Sequence, residues 1–315
     1  MTYGPCGGVS PDLLCEADDR RCPFVDTPAP AWSEPIHAPR PLPVGSTIVD
    51  LQPDLSAPDF AHSIDVLVEA GVTGLIGDHL DEPIGHDTTD QVRAVADRGL
   101  HVIATVACRS RTSHQAAARV AGLRHAGASA VLCVTGDHPQ ARFGGTHEVE
   151  FGLDSVSLAS IARESPGCIF VAESPASPPT SQRPARLLTK QNAGADAAIL
   201  NHAGTVDQLN SFAALALAAG VAMPLIAPVP VVTSSSTLTA LTQFPGVQLP
   251  DQIHAVVDSA DPTRAGISAA IEVGRRLLTN GLFAHLNLSG RVTNGGQLER
   301  ARIMAGIADE LGRSN

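Results

Sequence analysis

The chain has 315 residues, 43% of them hydrophobic, enough to bury a large core in one domain, with or without an appendage. A formal net charge of −11 argues against the clustered Lys and Arg that nucleic-acid or membrane-surface binding requires, although an anionic small molecule can still find a local positive spot. Aromatic residues make up only 3%, so the core must be Ala, Val, Leu and Ile.

Residues 1–45 differ in kind from the rest of the chain. They carry Cys6, Cys15 and Cys22, are rich in proline, and show no sustained apolar periodicity. They read as a loop-rich extension, either stapled by a metal or simply wrapped over the main domain. The N-terminus lacks the basic-then-apolar run of a signal peptide, and no apolar stretch reaches the roughly 18 residues of a transmembrane helix. The expected address is the cytoplasm, where six cysteines read as thiols or metal ligands before disulfides.

From residue 46 the pattern becomes regular. Short β-branched runs at Ser46–Leu51, Gly74–Asp78, His101–Cys108, Ala130–Thr135, Cys168–Glu173, Ala197–Asn201, Met223–Pro228 and Leu282–Asn287 are the expected strands. Between them lie Ala-rich stretches with helical spacing, such as DFAHSIDVLVEAG and TSHQAAARVAGLRHAG, each stopped by a glycine. The longer gap before the last run holds TLTALTQFPG and DPTRAGISAAIEVGRRLLTNG, expected as extra helices. This alternation predicts an α/β fold, a (β/α)8 TIM barrel over residues 46–315. An open doubly wound sheet would alternate in the same way, but no Gly-x-Gly-x-x-Gly turn follows the first run.

In such a barrel the chemistry sits where the strands end. The polar groups there are Asp50, Asp78-His79, Cys108 to Arg111, Asp137-His138, Glu173-Ser174, Asn201-His202 and His285 to Asn287. Each has a plain structural alternative. Asp78 and Asp137 are compatible with helix caps or Asx turns, Arg109 with a structural ion pair, and His202 and His285 with packed neutral imidazoles. A catalytic metal would want a His-x-His or His-x-x-x-His pair at a strand end, and a serine hydrolase a Gly-x-Ser-x-Gly elbow; neither is present.

Taken in order, these segments resemble the methylenetetrahydrofolate reductase family across most of residues 46–290. ATVACRSRT, AVLCVTGDHP, LLTKQNAGADAAILN, MPLIAPVPVV and GLFAHLNLS are similar to the family's successive strand-end motifs. The N-terminal YGPCGGVSPDLLCEADDRRCPF resembles a cysteine motif of some members, without its usual further upstream Cys. The resemblance implies hydride reduction of 5,10-methylenetetrahydrofolate to 5-methyltetrahydrofolate. It assigns Asp50 as general acid and Asp137 as iminium stabiliser and pterin anchor, with Asn201 and His202 also on the substrate. It places Arg109, Lys190, Asp78 and His79 on the cofactor side, and a structural Zn on Cys6, Cys15 and Cys22, with free thiols as the alternative.

The chain also departs from that family. Thr135 stands where an Arg precedes Gly-Asp, Ser110 where an Asp separates the two arginines, and AESPASPP where an aromatic, acidic and His-bearing segment is usual. These are flavin-facing positions, so FAD or FMN is not expected to be tightly held, and NAD(P)H is expected to donate hydride directly. Asp50 replaces a Glu and is one methylene shorter. That leaves two alternatives: a folate-binding or accessory subunit working beside another protein, or a barrel reductase for another C1 carrier or a deazaflavin.

Overall fold

In the computed structural model of the chain, the residues described are 12–14, 21, 38–78, 87–138, 152–244, 246–290 and 296–313. Eight parallel strands close on themselves in sequence order: β1 (Thr47–Leu51), β2 (Thr73–Ile76), β3 (His101–Ala107), β4 (Ala130–Val134), β5 (Cys168–Glu173), β6 (Ala197–Leu200), β7 (Leu225–Pro230) and β8 (His285–Ser289). The expected TIM barrel is therefore the observed fold. Because parallel strands are buried on both faces, their runs are almost unbroken in Val, Ile, Leu and Ala. Ile48, Leu75, Ile103, Phe170, Ile199 and Ile226 point inward and fill the barrel. Residues of opposite parity, Val49, Val106, Val131 and Val171 among them, pack outward against the helices.

The helices are α1 (Phe60–Glu69), α2 (Thr88–Ala96), α3 (Ser113–His125), α4 (Ser155–Arg163), α5 (Arg183–Asn192), α6 (Val206–Ala218), α7 (Ser235–Thr242), α8 (Asp251–His254), α9 (Pro262–Thr279) and α10 (Gly296–Gly312). Several begin where the chain supplies a capping oxygen. Thr112 and Thr205 each form a reciprocal capping box with the Gln three residues on, and Asp154 caps α4 through Ser157 N–H. The insert after β7 holds α7 and α9, where extra helices were expected, and between them the short α8, which was not. In α9, a Cβ at Gly266 would lie 1.7 Å from the Val232 carbonyl oxygen, so only glycine lets this helix lie against the β7 loop. Among the described residues no helix is long and apolar enough to cross a membrane.

Two strands lie later than expected, the run read as Met223–Pro228 forming β7 over Leu225–Pro230. The run read as Leu282–Asn287 forms β8 over His285–Ser289, with Leu286 and Asn287 opposite Thr47 and Ile48 of β1. Phe283 instead packs in the layer between barrel and helices. His285 consequently lies at the N-terminal end of the barrel, its Nδ1 3.0 Å from the Gly45 carbonyl, and is not a strand-end functional group.

That N-terminal end is a sealed floor. Leu42 and Val44 pack against the barrel interior from below. Asp196, fully buried, accepts hydrogen bonds from Arg40 N (2.7 Å) and Ile169 N (2.8 Å) and an ion pair from Arg163 (2.9 Å). One carboxylate thus ties the incoming segment, β5, β6 and α4 together. Its removal would leave Arg163 buried without its counter-charge. Asp196→Asn is expected to cost about 3–5 kcal/mol in urea unfolding, with ligand binding at the opposite end unchanged.

Candidate functional site

At the C-terminal end of the barrel the strands surround a cavity of about 300 Å3. Asp50, Asp78, Arg109, Asp137, Lys190, Asn201 and His202 all line it, as do Glu173, Asn287 and Ser289. Residues expected at the mouth from seven different repeats therefore meet in one space. His79, Cys6, Cys15 and Cys22 lie outside the described residues. Cys168 sits buried at the N-terminal end of the barrel with its Sγ 3.3 Å from the Pro41 carbonyl. Among the described residues no group of three metal-binding side chains occurs.

Asp50 occupies the last inward position of β1, two residues above Ile48. Its Oδ1 is sealed from solvent and has no hydrogen-bond partner among the described residues. Burial drives the carboxyl up to about 6, opposed by the positive charge of Arg300 and a hydrogen bond from the Asn287 side chain. Arg300 reaches over from α10 and donates to the Asp50 backbone carbonyl.

Glu173 is buried more completely than Asp50, with the opposite outcome. Lys190 Nζ lies 2.8 Å from Oε2 and Arg183 Nη1 3.2 Å from Oε1, and Arg186 adds its charge. These cations outweigh desolvation and hold the carboxyl below its ordinary range. Lys190 is in turn pushed down to about 8, chiefly by burial, against the pull of Glu173. Arg183, Arg186 and Lys190 are spaced i, i+3 and i+7, so α5 presents all three on one buried face. Reading strand ends alone misses Arg183 and Arg186, although this helical spacing marks them.

The remaining groups are held by their neighbours. Asp78 Oδ2 accepts from Ala107 N (3.1 Å) and pairs with Arg111 (2.9 Å), tying the end of β2 to that of β3. Arg109 Nη1 donates to the Asp137 carbonyl at 3.2 Å, passing so close to Gly136 that a Cβ there would lie 2.9 Å away. Thr135 accepts from Ser155 N at 3.1 Å, so the residue before Gly136 serves the start of α4. Asn201 accepts from His202 N through its side chain. His202 is buried and held down to about 4 by desolvation, hence neutral, with Nε2 2.5 Å from Ser289 Oγ. Ser289 also reaches the Val229 carbonyl, which assigns the proton to Nε2 of His202. Leu241, Phe244 and Val247, from the insert after β7, form an apolar side of the mouth that strand-end reasoning does not reach.

The cavity thus combines a protonatable carboxyl on its floor, a cationic wall on α5 and an apolar rim. A family model described as methylenetetrahydrofolate reductase matches residues 83–293. No curated protein matches the chain. Among solved structures, an uncharacterized protein from Clostridium thermocellum that binds two copies of 5-methyl-5,6,7,8-tetrahydrofolic acid superposes with a TM-score of 0.63. The match covers 86% of this chain and 95% of that one at 13% identity, a likeness of fold. With the family match spanning more than half of its 315 residues, the chain belongs to the methylenetetrahydrofolate reductase family.

Proposed function

We propose that the chain reduces 5,10-methylenetetrahydrofolate to 5-methyltetrahydrofolate with hydride taken directly from NAD(P)H. The observation that carries this reading is the placement of Asp50 at the last inward position of β1, where it lines the cavity and burial drives its carboxyl up to about 6. In the substrate a methylene carbon bridges N5 and N10. A proton delivered to N10 lets the bond from that carbon to N10 break, leaving an N5 iminium cation. Hydride then adds to the carbon and makes the methyl group, so one proton and one hydride balance the reaction. Asp50 supplies the proton, and Asp137, on the same cavity, faces the developing cation.

Direct transfer is favoured by how the cations are occupied. Lys190 and Arg183 are paired with Glu173, Arg109 holds the Asp137 carbonyl, and Thr135 serves α4. A dinucleotide flavin needs several of these groups for its phosphates and ribityl hydroxyls. A nicotinamide nucleotide that binds and leaves each cycle needs fewer, and Arg186, which lines the cavity from the α5 wall, is the group assigned to its phosphates. The purified chain is expected to be colourless and to oxidise NAD(P)H only when methylenetetrahydrofolate is added. A yellow preparation would overturn direct transfer. Methyltetrahydrofolate binding without turnover would favour an accessory folate-binding role.

The acid form of Asp50 is the working form, so kcat/KM should fall as pH rises through about 6. Asp50→Asn is expected to lower kcat by roughly 10²–10⁴-fold while leaving methyltetrahydrofolate affinity nearly intact. Stability moves in the same direction. The folded carboxyl holds its proton to a higher pH than the unfolded one, so wild-type stability falls as pH rises from 3.8 to about 6, and this slope is absent from Asp50→Asn. Asp137→Ala should weaken folate binding as well as rate, measured by titration calorimetry and steady-state kinetics; a purely kinetic effect would contradict the anchoring role.

A further inference from the structure

The segment that follows β6 is fastened at three points. His202 N donates to Asn201 Oδ1 at 3.0 Å, and the His202 carbonyl accepts from Gln248 N at 3.1 Å. Gln248 belongs to the insert after β7, and its own carbonyl accepts from Gly204 N at 2.8 Å. The third tie is the ring itself, with Nε2 2.5 Å from Ser289 Oγ at the end of β8. Because Ser289 directs its proton to the Val229 carbonyl, the ring gives its own at Nε2. A neutral imidazole carries one N–H, so Nδ1 is left as a bare acceptor.

That nitrogen has no hydrogen-bond partner among the described residues. His202 is 6% exposed and lines the cavity, and its Nδ1, unlike the Oδ1 atoms of Asp50 and Asn287, is not sealed from it. Both described side-chain partners of the residue are uncharged, and burial keeps the ring neutral. Asn201 cannot take over as acceptor at this strand end. Its Oδ1 is spent on His202 N, and its amide N–H2 is turned toward Ser174 Oγ at 3.5 Å. A histidine that merely fills space needs neither an open acceptor nor a hydroxyl to choose its tautomer. A group that must meet a ligand at a fixed point is held in this way, with supporting bonds setting both tautomer and ring plane.

We infer that His202 Nδ1 accepts a hydrogen bond from an N–H group on the edge of the reduced pterin, and that Ser289 is the positioning residue that fixes the tautomer for it. This rests on the proposed folate reading and deepens it by naming which edge of the substrate the β6 end receives. The direction of the bond makes it selective. A reduced pterin carries N–H groups along its rings and an exocyclic amine. A ligand presenting a carbonyl or a bare ring nitrogen at the same place would set acceptor against acceptor. The carboxylate of Asp137, also on the cavity, is an acceptor too, so the β4 and β6 ends together suit a donor-rich edge. A nicotinamide brings N–H only on its carboxamide and matches this less well.

The test reads the ring nitrogens directly, by long-range proton–nitrogen correlation spectra of the full chain isotope-labelled at its histidines. The His202 signals are assigned by their loss in His202→Asn. Unliganded wild type should show Nε2 protonated and Nδ1 bare. Saturation with 5-methyltetrahydrofolate should move Nδ1 in the direction of hydrogen-bond acceptance and leave Nε2 in place, while NAD(P)H alone should move neither. By calorimetry, His202→Gln, which reaches toward Ser289 but leaves the Nδ1 position empty, should bind 5-methyltetrahydrofolate roughly 10-fold more weakly. His202→Asn, whose Oδ1 falls near that position, should recover part of the loss. Ser289→Ala should mix the two tautomers and weaken binding about 3-fold or more, and Ser289→Thr, which keeps the hydroxyl, should restore both. A proton on Nδ1 in unliganded wild type would overturn the inference. So would an Nδ1 signal unmoved by the folate or moved by NAD(P)H alone, or a single unchanged tautomer in Ser289→Ala. If the His202 variants fold poorly, the wild-type spectra and the Ser289 pair still decide. Wild type that binds the folate and moves Nδ1 but never oxidises NAD(P)H leaves the inference standing and overturns only the reduction. Wild type that does not bind the folate overturns both.

Discussion

Desolvation of carboxyl groups is the constraint on which this site turns. Packing at the upper ends of the barrel strands takes carboxyl groups partly or wholly out of water, and an ionised carboxylate there is favoured only where it finds cations. Glu173 finds them, with Lys190 and Arg183 at ion-pair distance and Arg186 behind them. Asp50 does not, because Arg300 is committed to its backbone carbonyl and lends only part of its charge. Two carboxyls on the walls of one cavity are therefore driven in opposite directions by what surrounds them. Such a divergence separates a group that can give a proton from one that serves as a fixed charge.

The two ends of the barrel divide stability from chemistry in the same way. At the floor, Asp196 has its oxygens matched by two backbone N–H groups and an arginine. At the mouth, Asp50 and Asn287 keep sealed oxygens with nothing to bind among the described residues. The first arrangement contributes to the fold, whereas the second costs stability and is tolerated because the barrel wall over-determines its position. The β8 register is part of that wall. A slip of one residue would turn Asn287 and Ser289 into the helix layer and bring Leu286 and Leu288 to the cavity. The bond from neutral His202 across to Ser289, which spans β6 to β8, resists such a slip.

Most of the fold was legible because parallel strands buried on both faces leave a plain mark: β-branched runs, helical spacing, then glycine. The mark fails where an apolar run continues past its strand. GLFAHLNLS offers no internal signal for where pairing starts, and Phe283, which looks like a strand residue, packs outside the barrel. The site was legible in part for a related reason. Polar groups that end an apolar run stand out, and Asp50, Asp78, Asp137, Asn201 and His202 do line the cavity. Arg183 and Arg186 fall in SQRPARLLTK, whose charge and proline look like a solvated turn. Only the helix, by lining them up with Lys190, turns a polar stretch into a buried cationic face.

That cationic face also bears on what kind of ligand the cavity favours. A buried pair such as Glu173 with Lys190 gains little net stability over an apolar substitute, since two desolvation costs offset the attraction. Three cations around one carboxylate are less favourable still, and burial with the neighbouring arginines depresses Lys190 accordingly. An anion brought close would relieve that imbalance and restore charge to the amine. The wall on α5 is thus poised for a negatively charged part of a ligand, while Asp50 at the end of β1 is poised to give a proton. Between them the space suits a molecule with an anionic end and a proton-accepting ring. The separation of the two demands onto different repeats lets each be tuned without disturbing the other.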